Sequence, residues 1–249
     1  MIMSVYEQQV LQELHAWQQQ MLRPPSLMNR LARKMQQKMN SYIPEKVHRA
    51  ITSAIKQMIR AVIFGAERTT GRVEEGALLL QQKEIRVRQR ISFYKSTAAA
   101  EGGLTGAGGI LLGFADFPLL LGIKLKLLYD IAALYGYSVA DYRERIYLLY
   151  IFQLAFSSHE QRRQVYLQMV NWEQQKEYLP DDIHQFDWRT FQQEYRDYID
   201  LAKMAQLIPV IGAPVGAYVN YRLLDKLGAT AMNAYRLRWQ ESLQVPGNS

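Results

Sequence analysis

The sequence predicts an all-α fold, a multi-helix bundle with two glycine-rich apolar helical segments packed together. Three observations predict it. Apolar residues recur at steps of three and four along nearly the whole chain, and no stretch of useful length alternates with period two. Two long, almost uncharged stretches rich in Gly and Pro interrupt otherwise polar helices. At 249 residues, with 49% hydrophobic and 21% charged content, the chain can bury a sizeable core, which excludes wholesale disorder and a multi-span membrane protein. The absence of Cys excludes a disulfide framework, a thiol nucleophile, an iron–sulfur cluster and a cysteine zinc site.

Val10, Leu14, Trp17 and Met21 form the stripe of a first helix that ends at Pro24-Pro25. Ser26 is the N-cap of a second helix with an apolar line Leu27, Leu31, Met35 and Met39, beside which Arg30, Arg33, Lys34 and Lys38 stand on other faces. Pro44 suits the first turn of a third helix carrying Val47, Ile51, Ile55, Met58 and Val62. A periodic stretch from about Arg72 to Ala100 has a highly charged middle, QQKEIRVRQR, expected to be a solvated face. Asp116 followed by Pro118 reads as the cap and first turn of a helix that stops at Gly136. Further helices are expected over Asp141 to Phe156 and Glu160 to Tyr178, then a loop, PDDIHQFD, then a helix from Asp187 to about Leu207 and a last one ending near Trp239. The domain plan is a basic amphipathic extension over 1–40, a helical domain over 41–243 and a flexible tail over 244–249.

Charge is lopsided. Residues 1–95 hold 16 Lys and Arg against 7 Asp and Glu, whereas residues 96–249 hold 14 against 16. A basic N-terminal third suits an anionic partner, and with its apolar line the helix bearing Arg30, Arg33, Lys34 and Lys38 suits an anionic membrane surface. Met1 to Met21 is Gln-rich, carries Glu7 and Glu13, and lacks the apolar core of a secretion signal, so a cytoplasmic location is expected.

The glycines need a reason, because each costs about 1 kcal/mol relative to Ala inside a helix. GGLTGAGGILLGFADFPLLLGI, residues 102–123, has seven of them, and MAQLIPVIGAPVGAYVNY, residues 204–221, has no charge. Gly102 and Gly106, Gly109 and Gly113, and Gly212 and Gly216 each stand four apart, the spacing of a notch where another backbone or a membrane can approach. The same spacing suits tight intramolecular packing of the two segments. Ten Leu, Ile and Phe residues between Leu104 and Ile123 contribute roughly −4.5 kcal/mol to bilayer insertion and Asp116 returns about +3, so shallow contact fits better than a stable span.

The stretches GGLTGAGGILLGFADFPLLLGIKLKLLYDIAALYGY and PVIGAPVGAYVNYRLLDKLGATAMNAYRLRW resemble the EcsC family over about residues 40–240. The resemblance is carried by Asp116-Phe117-Pro118, Tyr135-Gly136-Tyr137, Pro209 to Gly212, Val219-Asn220-Tyr221 and Leu227-Gly228. It implies an EcsC-like helical domain from residue 41, a neighbourhood linked to an EcsA/EcsB-type ABC transporter and protein secretion, and no assigned reaction. A looser similarity to a glycine-rich membrane-associated domain found beside bacterial GTPases points toward membranes.

Motifs for chemistry fall short. Gly103 to Gly108 has phosphate-loop spacing, but Gly109-Ile110 stands where Lys and a hydroxyl are needed, and Gly106 and Gly108 lack both the third glycine and the preceding strand of a dinucleotide site. His15, His48, His159 and His184 are scattered; Asp181, Asp182, His184 and Asp187 form an ordinary polar loop, so no metal and no cofactor are expected. The 28 aromatic residues carry no nucleic-acid signature, and no nucleic-acid partner is expected. The expected function is a non-enzymatic accessory or regulatory protein, peripheral at the inner face of the cell membrane. The alternative is a helical hydrolase or carrier for a lipid-like ligand in a pocket near Glu101, Asp116 and Asn220, where buried carboxylates would act as acid or base. The bland account of the same residues is Asp116 as a helix cap and Asn220 bonding across the bundle to the backbone freed by Pro209 or Pro214.

Overall fold

A computed structural model describes residues 3–24, 45–64, 78–106, 117–157, 159–187, 189, 191 and 213–244. Every regular element among them is helical. Helix α1, Val5–Leu22, starts at a capping box: the Glu7 N–H donates to Ser4 Oγ at 3.2 Å and the Ser4 N–H to Glu7 Oε2 at 2.7 Å. It buries Val10, Leu14 and Met21, so the described part of the 1–40 region packs into the bundle. Helix α2, Glu45–Phe64, buries Ile55, Met58, Ile59 and Val62.

Helix α3, Leu80–Gly106, faces inward along Leu80, Glu84, Val87, Ile91 and Tyr94 and outward through Arg86, Gln89 and Phe93. It continues through Gly102 and Gly103, beyond the expected end at Ala100. Helix α4, Phe117–Tyr135, has Pro118 in its first turn, as expected, and stops at Gly136, whose φ of 95° is open to glycine. Helix α5, Tyr142–Phe156, begins at Asp141, whose carboxylate accepts from the Arg143 N–H at 2.9 Å.

The single helix expected over residues 160–178 is broken. Helix α6, His159–Leu167, and helix α7, Trp172–Gln175, are separated by Asn171 at φ 55°, and a 3-10 turn, Lys176–Tyr178, follows. Asn tolerates this left-handed conformation better than most residues. The Asn171 N–H donates to Glu241 Oε1 at 2.7 Å, and Trp172 is buried against the rings of Tyr147 and Tyr150. Those tertiary contacts outweigh continuous helix periodicity. The following loop contains a second 3-10 turn, Ile183–Gln185.

Helix α8, Ala213–Gln244, is about 48 Å long at 1.5 Å per residue and packs chiefly along α3, with α4, α5 and α1 beside it. It runs antiparallel to α3, since Glu84 meets Arg236, Ile91 meets Gly228 and Lys95 meets Asp225. It runs parallel to α4, since Lys124 meets Asn220 and Tyr135 stacks on Tyr235. At Gly228 α3 and α8 pack tightly: a Cβ there would lie 2.6 Å from Ile91 Cγ1 and 2.7 Å from Cδ1. Among the described residues no helix is long and apolar enough to cross a membrane.

Candidate functional site

The helix pairing gives the molecule two ends of different chemistry. At one end α8 sends two arginines inward. Arg236, 5% exposed, donates through Nε to Glu84 Oε1 at 2.7 Å and through Nη2 to Glu84 Oε2 at 2.6 Å, a two-point fork on a fully buried carboxylate. Its Nη1 reaches Glu13 Oε2 of α1 at 2.9 Å. Glu84 also accepts from the Tyr6 hydroxyl at 2.6 Å, the Tyr135 hydroxyl at 3.3 Å and Arg88 Nη2 at 3.1 Å. One carboxylate thereby joins α1, α3, α4 and α8.

Arg238, 2% exposed, builds a second junction about half a turn further along α8. Its Nη1 donates to Glu144 Oε2 of α5 at 2.7 Å, its Nε to Glu173 Oε1 of α7 at 2.9 Å, and the Tyr235 hydroxyl donates to Glu144 Oε1 at 2.6 Å. The guanidinium lies 3.6 Å from the centre of the Tyr137 ring and 4.9 Å from that of Tyr147. Burial pushes the Glu144 carboxyl above its ordinary value against the pull of Arg238 and Tyr235. For Arg238, burial favours the neutral form, and Glu144 with the surrounding phenols outdoes it, holding the guanidinium charged. Burial likewise raises the Tyr135, Tyr147 and Tyr235 phenols, so all three stay protonated donors. These groups are engaged in joining helices, the two arginines, Glu84 and Glu144 from within and Glu13, Glu173 and Arg88 from the half-exposed margin.

The other end is set by where α3 stops and where α4 and α8 start. Lys95 Nζ bonds Asp225 Oδ1 at 2.6 Å and sits 4.3 Å from the Tyr221 ring centre, and Lys124 Nζ, fully buried, donates to Asn220 Oδ1 at 3.4 Å. From those contacts α3 runs on for about 16 Å to Gly106, while α4 and α8 reach back about 10 Å to Phe117 and Ala213. The three helix ends that adjoin the two glycine-rich stretches therefore lie at one end of the bundle. Phe93, Tyr218 and Tyr221 are exposed near this level, at 57%, 64% and 40%.

Of the residues singled out from sequence, Glu101, Gly102 and Gly106 fall on the last turns of α3, and Gly216 and Asn220 on the first turns of α8. Asn220 is buried and its Oδ1 accepts from the Lys124 side chain across the bundle, a different partner from the backbone at Pro209 or Pro214 that the bland account gave it. Gly109, Gly113, Asp116, Gly212, Arg30, Arg33, Lys34 and Lys38 lie outside the described residues, as does the side chain of Glu101. The loop carboxylates are engaged locally: Asp182 accepts from the His184 N–H at 2.9 Å, and Asp181 pairs with Arg143 at 2.7 Å. Among the described residues no three His, Asp or Glu side chains come together as a metal site.

Glu84, Lys124 and Arg238 were missed, and each carried a readable signal. Glu84 stands on the apolar stripe of α3, four residues after Leu80 and three before Val87. Lys124 stands three residues after Leu121 and four before Leu128, and Arg238 four residues after Ala234 and three after Tyr235. A charge in phase with a buried stripe is a buried charge.

The model of the EcsC protein family matches residues 8–239, reaching further toward the N-terminus than the motifs that carry the resemblance. The chain is 45% identical over 231 residues to Protein EcsC of Bacillus subtilis (strain 168), covering 93% of this chain and 95% of that protein. It is 32% identical over 143 residues to the uncharacterized protein YdbA of the same organism, covering 57% of this chain and 53% of that one. No solved structure matches. The chain belongs to the EcsC family.

Proposed function

We propose that this chain is a non-enzymatic accessory protein that works at the cytoplasmic face of the cell membrane, touching anionic lipid with the end of the bundle where α3 stops and α4 and α8 begin. The observation that carries this reading is the convergence of those three helix ends, each adjoining an almost uncharged glycine-rich stretch, with the polar junctions of Glu84 and Glu144 at the opposite end. Tyr218 and Tyr221, both exposed, supply aromatic groups of the kind that favour a headgroup region. The depth of about 10 to 16 Å from the Lys124–Asn220 and Lys95–Asp225 contacts to the helix ends is comparable with one leaflet of a hydrocarbon core about 30 Å thick. Arg30, Arg33, Lys34 and Lys38 add attraction to an anionic surface. Membership of the EcsC family supports an EcsA/EcsB-type ABC transporter as the partner and protein secretion as the process.

Sedimentation with vesicles tests the lipid contact. Purified protein is expected to bind phosphatidylglycerol vesicles and to release as salt rises from about 50 to about 500 mM, the range over which exposed charges are screened. Replacing Arg30, Arg33, Lys34 and Lys38 together with Gln should weaken binding at the lower salt. Binding equal on neutral and anionic vesicles and unchanged by salt would remove the electrostatic part of the reading, and no binding at all would remove the whole.

A further inference from the structure

Five arginines among the described residues are withdrawn from solvent, and four of them are engaged. Arg236 and Arg238 hold the two junctions, Arg143 pairs with Asp181 at 2.7 Å, and Arg145 Nη1 donates to the Val139 and Ala140 carbonyls, both at 2.9 Å. Arg162 of α6 is the exception. It is half-buried, and among the described residues no acceptor, carboxylate or ring meets its guanidinium. Burial draws its ionisation below the ordinary arginine value with no neighbouring charge to oppose it. Arg163, next to it, is exposed and likewise without a partner among the described residues. Tyr166, one turn further along the same face of α6, packs edge-on against Trp17 of α1 at 5.6 Å, and Gln18 reaches Gln240 of α8 at 3.1 Å. Arg162 therefore stands near the seam of α1 and α6, in the half of the bundle that holds the last turns of α8, away from the helix ends that adjoin the glycine-rich stretches.

We propose that Arg162, with Arg163 beside it, binds the phosphate group of a soluble phosphate-bearing molecule. A guanidinium stays charged in a protein, so Arg162 cannot relieve its burial by giving up a proton as a lysine or histidine can. A charge taken from water with nothing in exchange weakens the fold that holds it, and polar groups so placed are ordinarily hydrogen-bonded. The chain offers Arg162 no such exchange, and part of its surface still meets solvent, so the compensating anion arrives from outside. Its planar fork of N–H donors fits two oxygens of one phosphate, and Arg163 supplies a second positive charge near the same place. The position selects the source: this half of the bundle faces away from the proposed lipid contact, which favours a dissolved molecule over a bilayer headgroup. The inference goes beyond the membrane reading and does not depend on it.

Calorimetric titration with inorganic phosphate and thermal melts, both without lipid and with ionic strength matched by chloride, test the site. The native midpoint should rise by about 3 to 6 °C once phosphate reaches about ten times its dissociation constant. Arg162→Met should weaken phosphate binding about tenfold or more, and Arg163→Gln by less. In phosphate-free buffer Arg162→Met should melt no lower than the native chain, because it removes an uncompensated charge and keeps much of the apolar stem. Arg162→Met should also sediment with phosphatidylglycerol vesicles as the native chain does. A native chain that gains no more from phosphate than from chloride, or an Arg162→Met chain that takes phosphate equally well, would overturn the proposal. So would Arg162→Met melting clearly below the native chain without phosphate, which would give Arg162 a partner inside the fold. Loss of vesicle binding alone in that variant would make the anion a lipid headgroup and remove the soluble source. A native chain that takes phosphate but no vesicles would keep this site and remove the membrane reading.

Discussion

Replacing Glu84 with Ala removes the shared acceptor of Arg236, Tyr6, Tyr135 and Arg88 and leaves the Arg236 guanidinium, 5% exposed, with only Glu13 and Asn233. Breaking a buried ion pair from one side typically costs about 3 to 5 kcal/mol, because the remaining charge keeps its desolvation penalty and loses its compensation. For a chain of this size each kcal/mol lowers the unfolding midpoint by about 2 to 4 °C, so Glu84→Ala should melt roughly 6 to 20 °C below the native protein. The double variant Glu84→Leu/Arg236→Met removes both charges and refills their volume, and should regain most of that loss. Calorimetry of the native chain, both singles and the double completes a cycle. A Glu84→Ala penalty below about 1 kcal/mol, or a double variant no more stable than Glu84→Ala, would refute the view that this buried carboxylate joins the helices.

Gly228→Ala should destabilise by about 1 kcal/mol net. A Cβ 2.6 Å from Ile91 Cγ1 forces α3 and α8 apart at a cost of about 1 to 3 kcal/mol, against about 1 kcal/mol gained in helix propensity. Adding Ile91→Ala should relieve the clash, so in that background Gly228→Ala should no longer destabilise; a persistent penalty would place the cost elsewhere. Acid should also destabilise the fold. Burial opposes ionisation of Glu13 and Glu173, but Gln9 and Arg236 at the first, and Lys176 and Arg238 at the second, leave both carboxyls below their ordinary value of 4.5. The stability they add is present above about pH 4.5 and is lost as pH falls through the lowered values. Glu144, raised chiefly by burial, acts with the opposite sign, its contribution fading as pH rises past 4.5 and through its folded value. Thermal melts between about pH 6 and pH 3 should show a falling midpoint, with a shallower fall for Glu173→Gln; an equally steep fall would clear Glu173 of the effect.

The helices were legible because their inward stripes repeat every three or four residues, and Asp141, Pro118 and Gly136 mark boundaries by local chemistry alone. The break at Asn171 was not, because it depends on Glu241 seventy residues away and on a pocket for Trp172 built by α5. QQKEIRVRQR was read as a solvated face, and for Arg86 and Gln89 it is one, but Glu84 and Val87 in the same run are fully buried. Local charge density hid the phase of the stripe. Asn220 stands polar in an uncharged run and is visible for that reason, yet nothing local pairs it with Lys124 on another helix. Pairing between distant helices decides which charge turns inward, and one sequence carries no record of that pairing.

Both inward-pointing arginines stand far downstream of most of the acids they bind, by as much as 223 positions. During synthesis Glu13, Glu84, Glu144 and Glu173 leave the ribosome long before Arg236 and Arg238 do, and until then Glu84 and Glu173 have only their local cations, Arg88 and Lys176, and no link to the last helix. A chain released short of Arg236 therefore lacks the counter-ions its interior is laid out around, and it should be recognised by cellular proteases as unfinished.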